Sequence, residues 1–177
     1  MGLCSTTPSL PLHQVSSTEN SKSQASHSSQ HGHPHRDRDC RSPEQVRKTF
    51  LDFQAFPTWT NGFIKSITPA DPSAAPGTRL TVALEGITMS PTVLTNSESE
   101  FSWRGKLWSV PGLFTGDHYF RFRPSDKTPG GTTLEHGEDF FGVLTFIIAE
   151  GTGFWEKTKK GFEGFNEDIK KKCEGDK

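Results

Sequence analysis

The sequence predicts an α+β domain in which a curved antiparallel β-sheet wraps a long C-terminal α-helix. Two patterns predict it. A capped helical segment is followed by six short alternating segments divided by Gly, Pro, Asp and Asn, and then by a long segment with apolar residues at helical spacing. Strands that follow one another directly form an antiparallel meander, so the two helices are left to cover one face of it. Composition points the same way: all four Trp, all fourteen Phe and the single Tyr lie beyond residue 42.

Residues 1–41 are rich in Ser, Thr, Gln, His and Asn and poor in large apolar side chains. Such a segment cannot bury enough surface to offset the entropy of ordering it, so it reads as a disordered Ser/His-rich tail, with the domain at 42–174. The first helix opens at Ser42-Pro-Glu-Gln45, which supplies a cap, a first-turn proline and a capping-box glutamine, and continues through Val46, Phe50 and Phe53. Phe56-Pro-Thr-Trp-Thr-Asn-Gly62 breaks it. Strands are expected at 63–68, 78–85, 90–95, 100–107, 117–123 and 132–141. From 152 to 172, Phe154, Trp155, Phe162, Phe165 and Ile169 recur with Lys and Glu between them, which predicts the closing helix.

The 20 basic residues nearly balance the 21 acidic ones, for a net charge of −1, so the chain lacks the basic surface that nucleic acid requires. Cys4, Cys40 and Cys173 show neither metal nor redox spacing, which suggests a reducing compartment. No apolar run approaches the roughly 18 residues of a membrane span, and the first residues do not resemble a secretory signal. A cytoplasmic protein is expected. Within the tail, Met1-Gly-Leu-Cys-Ser-Thr6 fits the pattern for myristoylation at Gly2, with Cys4 placed for a second acyl chain that would anchor the protein to a membrane. The run from His27 to Cys40 is histidine-rich but has no ordered ligand spacing, and no metal is expected there.

Two predicted strands place histidine among residues that should face the core. In 117–123, His118, Phe120 and Phe122 share one face while Tyr119, Arg121 and Arg123 share the other. In 132–141 the matching set is Thr132, Leu134, His136, Glu138 and Phe140. The turn from Pro124 to Gly131 makes the two strands a hairpin, and two registers keep their apolar faces together: His118 opposite His136, or His118 opposite Glu138. A carboxylate beside imidazoles in apolar surroundings can set a tautomer, shift a pKa and act as a general acid or base. The same three groups can also satisfy one another as a buried structural cluster. The segment Leu107-Trp-Ser-Val-Pro-Gly-Leu-Phe114 is unusually apolar for a loop, as expected of a cover over a cavity mouth, of a segment that dips into a membrane surface, or of one packed on Phe56 and Trp59.

Six segments together carry a family likeness: Val46-Arg-Lys-Thr-Phe-Leu-Asp-Phe-Gln-Ala-Phe-Pro-Thr-Trp59, Gly77-Thr-Arg-Leu80, Trp103-Arg-Gly105, Gly116-Asp-His-Tyr-Phe120, His136-Gly-Glu-Asp-Phe-Phe-Gly142 and Gly161-Phe-Glu-Gly-Phe-Asn166. In this order they resemble the SRPBCC superfamily, which includes START-related, Bet v 1-like and polyketide cyclase/dehydrase-like proteins. The resemblance implies a helix-grip fold, with seven strands around the C-terminal helix and an apolar cavity between. Its first strand should precede Ser42, yet residues 31–41 show no alternation, so that strand is expected to be degenerate or missing.

The implied cavity would be lined by Trp59, Phe101, Trp103, Leu107, His118, Phe120, Leu134, His136, Glu138, Phe140, Phe162 and Phe165. The expected function is binding or carriage of a small hydrophobic molecule, lipid or polyketide-like, by a monomer without a cofactor. Two alternatives stand beside it. One is a cofactor-free polyketide cyclase or dehydratase using His118, His136 and Glu138; the other is an interaction module of the chaperone-activator kind.

Overall fold

The structure is a computed structural model that describes residues 6–8, 42–106, 115–142 and 153–175. Helix α1 (Pro43–Leu51) is closed at its start by the expected capping box: Gln45 N–H donates to Ser42 Oγ at 3.4 Å, and Ser42 N–H donates to Gln45 Oε1 at 3.3 Å. A 3₁₀ turn (Phe53–Ala55) and the one-turn helix α2 (Phe56–Trp59) lead to the sheet. Strands β2 (Ile64–Pro69), β3 (Leu80–Leu84) and β4 (Ile87–Met89) form one antiparallel sheet. Strands β5 (Thr92–Asn96), β6 (Glu100–Lys106), β7 (Thr115–Pro124) and β8 (Thr132–Phe141) form an antiparallel run in the second. Helix α3 (Gly153–Glu174) closes the domain.

The continuous sheet expected from the meander is thus divided in two. Gly86 adopts φ 85° in the two-residue connection that pairs Leu84 with Ile87, so a hairpin strand β4, outside the expected strands, precedes β5, which corresponds to the strand expected at 90–95. The sheets stay joined at a seam where Leu80 N–H donates to the Pro91 carbonyl and Val93 N–H to that of Thr78, both at 2.8 Å.

Among the described residues no strand of the antiparallel meander precedes α1, and a three-residue segment takes the edge. The short strand β1 (Thr6–Pro8) lies parallel to β8, with Thr6 opposite Leu134 and Pro8 opposite His136. This edge segment lies far upstream of residues 31–41 and within the Ser/His-rich stretch. Proline has no N–H to donate, and an edge position is where a sheet tolerates it.

Helices α1 and α3 cover the inner face of the larger sheet. Phe50, fully buried on α1, is the centre of the aromatic core, with ring centroids 4.4 Å from Phe120 and 5.5 Å from both Phe101 and Phe122. Thr158, Phe162, Phe165, Asn166, Ile169 and Cys173 form the buried stripe of α3 at three- and four-residue steps. The outer face carries the charges predicted for it. Arg104 pairs with Asp117 at 2.5 Å, Arg121 with Glu100 at 2.8 Å and Arg123 with Glu135 at 3.3 Å. Tyr119, on that face, is buried beneath the Arg121 guanidinium, which sits 4.1 Å above its ring.

Candidate functional site

The β7–β8 register pairs His118 with Glu138 and Phe120 with His136. Of the two registers open to the sequence, the one shifted by two residues is adopted. His118 and His136 are diagonal neighbours on the inner face, and their side chains lean together until the two Nε2 atoms are 2.7 Å apart. His136 Nδ1 reaches Asn166 Oδ1 on α3 at 2.9 Å. On the other side, His118 Nδ1 lies 3.6 Å from Glu138 Oε2. Asn166, His136 and His118 are thus hydrogen-bonded in a row from the helix to the sheet, with the Glu138 carboxyl beside its end.

Aromatic rings enclose this row. Trp103 stacks on His118 with centroids 4.6 Å apart and planes inclined by 9°. His136 is sandwiched between Phe120 at 4.3 Å and Phe162 at 4.2 Å. With little water to solvate a charge, burial pushes the His118 imidazole down to about 3. His136 lies well below the ordinary range, through burial first and His118 second, partly countered by hydrogen bonds to Asn166 and the Phe162 backbone. Burial, followed by the charge of Asp117, pushes the Glu138 carboxyl up to about 8. All three groups are therefore neutral near pH 7.

Glu138 has room because residue 116 is glycine. A Cβ there would stand 2.1 Å from Glu138 Oε1 and 2.9 Å from its Cδ. Gly116 pairs across the strands with Gly105, whose own Cβ position is filled by the Met89 methyl. The two glycines make a notch in the inner face beside Trp103 and His118, and the Glu138 carboxyl lies in it.

The structure brings together Trp103, His118, His136, Glu138 and Phe162, with Phe120 bridging to the rest of the core. Phe101 and Trp59, also expected to line a cavity, pack at the other end among Phe50, Phe53 and Phe56, whereas Phe165 stands between the two groups, its ring centroid 5.5 Å from His136 and 5.8 Å from Phe56. Leu134 is buried in the same core, and Phe140 is half-buried on β8 opposite Gly116. Leu107 and the apolar 107–114 segment lie outside the described residues, as do Gly2, Cys4 and the histidine-rich run; nothing is described of the side chains of Phe154 and Trp155. Among the described residues no group of three His, Cys, Asp or Glu is arranged to hold a metal ion, and no helix is long and apolar enough to cross a membrane.

Sequence reasoning assigned no role to Asn166, Gly116 or Met89. Asn166 carried a usable signal: it falls on the apolar stripe between Phe162 and Ile169, where an amide needs a buried partner. Gly116 stands on the inward face of a strand, a position that marks a close approach by another group.

Residues 38–174 match the family model described as polyketide cyclase / dehydrase and lipid transport. No curated protein sequence matches. Among solved structures, the chain resembles Ara h 8.0201 at 13% identity and TM-score 0.54, over 75% of this chain and 90% of that one. It resembles a START superfamily protein from Mycobacterium smegmatis at 18% identity and TM-score 0.54, over 76% and 91%. The KanY protein is a further fold relative, at 15% identity and TM-score 0.52, over 77% and 92%. The wrapped helix, the inner-face cluster and the family match agree: this chain belongs to the polyketide cyclase/dehydrase and lipid transport family, has the SRPBCC-type helix-grip fold, and has a hydrophobic ligand-binding or polyketide-cyclase role.

Proposed function

We propose that the domain binds a small hydrophobic molecule, lipid or polyketide-like, on the inner face of the sheet, with the Glu138 carboxyl as its polar contact. One observation supports this reading most. Of the three titratable groups in the cluster, Glu138 keeps 17% of its side chain exposed, whereas His136 is fully buried and His118 keeps 5%. The histidines direct their ring nitrogens at each other, at Asn166 and at Glu138, which leaves the carboxyl in the glycine notch as the group a ligand can meet.

The test is a thermal-unfolding screen of the full chain against fatty acids, sterols and aromatic polyketides. A ligand near one hundred times its Kd should raise Tm by about 5–10 °C. A library that shifts nothing would count against the reading.

A second reading is favoured by the Glu138 carboxyl, which, pushed up to about 8 beside His118, can both give and take a proton near neutrality. In a cofactor-free cyclase or dehydratase, Glu138 would act as the acid or base, with His118 and His136 behind it. Turnover of an aromatic polyketide that survives both Glu138→Gln and His136→Ala would remove this assignment. A protein that co-purifies in place of a small molecule would favour the interaction-module role. Acylation at Gly2 and Cys4, and with it membrane attachment, is tested by the intact mass of the protein from its own cells.

A further inference from the structure

We propose that Asn166 is a positioning residue that orders the protons along the row to Glu138, so that the site presents a hydrogen-bond donor and selects ligands carrying a carbonyl or phenolate oxygen. The inference rests on the binding reading above and adds the chemical class of the ligand.

The order follows from which atoms can only accept. Asn166 Oδ1 lies 2.9 Å from His136 Nδ1, so that nitrogen carries the hydrogen. A reversed Asn166 amide would place a donor there instead, but the Phe162 backbone gives an independent answer. It also hydrogen-bonds His136 and raises its proton affinity, as a carbonyl acceptor does and an N–H does not. Phe162 and Asn166 are one turn apart on α3, and the nitrogen that faces α3 is Nδ1.

A neutral His136 with hydrogen on Nδ1 has a bare Nε2, which accepts from His118 Nε2–H at 2.7 Å. His118 Nδ1 is then bare as well, and it faces Glu138 Oε2 at 3.6 Å. An ionised carboxylate would set two lone pairs against each other, whereas a protonated one, too far from Nδ1 at 3.6 Å to be engaged by it, keeps its hydrogen for a ligand. The other carboxyls near Glu138 are Asp117 on β7, which disfavours its ionisation, and Asp139 on its own strand, whose pKa Glu138 raises. A protonated carboxyl in a notch lined by Trp103 and the two glycines accommodates a neutral or anionic oxygen and rejects an ammonium group.

The experiment has two arms on the full-length protein. In the first, two-bond ¹H–¹⁵N spectra of ¹⁵N-histidine-labelled protein report each ring's tautomer between pH 6 and 7.5. The expected result is His136 as the Nδ1–H form and His118 as the Nε2–H form. Asn166→Leu should move His136 toward the Nε2–H form, and Asn166→Asp, which keeps an acceptor, should restore Nδ1–H. A wild-type His136 in the Nε2–H form, an imidazolium at either site, or an Asn166→Leu spectrum unchanged from wild type would overturn the order.

The second arm compares binding of 2-acetylnaphthalene, 2-ethylnaphthalene and 2-naphthylmethylammonium. The ketone should bind about tenfold more tightly than the other two, the worth of one good buried hydrogen bond. That preference should be lost in Asn166→Leu and kept in Asn166→Asp. Equal or tighter binding of the ammonium probe overturns the selectivity. If none of the three binds, the binding reading fails, and the spectra decide the proton order by themselves.

Discussion

The Nε2 atoms of His118 and His136 lie 2.7 Å apart, although the residue opposite His136 in the β7–β8 ladder is Phe120. The contact is diagonal, so it depends on the rings that hold each imidazole over: Trp103 against His118, and Phe120 and Phe162 on either side of His136. Packing rather than strand register sets the geometry of the site.

The first prediction concerns that pair. Replacing either histidine by Leu leaves a buried ring nitrogen of the other without its partner, at a cost of about 1–3 kcal/mol. The double replacement should cost less than the two singles added together, by about 1 kcal/mol or more. Urea unfolding of the four proteins measures the difference, and strict additivity would show the two imidazoles to be independent.

Stability should peak near pH 6.5. His118, held near 3 when folded and ordinary when unfolded, adds stability above its unfolded value that is lost as pH falls from 6.5 toward 3, and His136 acts in the same direction. Glu138, held near 8, acts oppositely: its contribution is present below about 4.5 and lost as pH rises toward 8. Between 4.5 and 6.5 the two histidines outweigh the single carboxyl; above 6.5 only Glu138 titrates, and stability declines by up to about 1.4 kcal/mol per pH unit. Glu138→Gln should flatten the decline from pH 6.5 to 8 and leave the acid limb in place. An unchanged alkaline limb in that variant would place the titration elsewhere.

Gly116 and Gly105 should respond differently to alanine. A methyl at 116 meets the Glu138 carboxyl and also Cδ and Cγ, at 2.9 and 3.2 Å, so the whole side chain must leave the notch. At 105 it meets the end of Met89, a flexible side chain that can turn away. Gly116→Ala should therefore abolish the ligand response and remove the alkaline pH dependence, whereas Gly105→Ala keeps both. Equal effects of the two changes on ligand-induced Tm shifts would contradict this.

Much of the fold was legible because its signals are local. Ser42 and Gln45 are three residues apart and announce their capping box, and the alternation in 132–141 assigns His136 and Glu138 to one face without any knowledge of the partner strand. What was not legible depends on distant segments. The edge segment Thr6–Pro8 was not anticipated, because three residues are too few to show alternation. The choice between two registers needed the packing of rings from β6 and α3. The roles of Gly116 and Asn166 exist only once Glu138 and His136 are beside them.

The core should be unevenly sensitive. Phe50→Ala removes the ring at the centre of the α1–sheet contact and should cost about 3–5 kcal/mol. Ile87→Ala, at a side chain 46% exposed, should stay within about 0.5 kcal/mol. Chemical denaturation of both variants checks the contrast, and a mild Phe50→Ala would mean that α1 is not part of the cooperative core.

The most direct test of the central claim is native mass spectrometry of the full chain purified from its own cells and again after incubation with the lipid and aromatic library. The account predicts a complex heavier than the polypeptide by one small apolar molecule, released by organic solvent and absent from the Gly116→Ala protein. A polypeptide that stays empty in both preparations would contradict it.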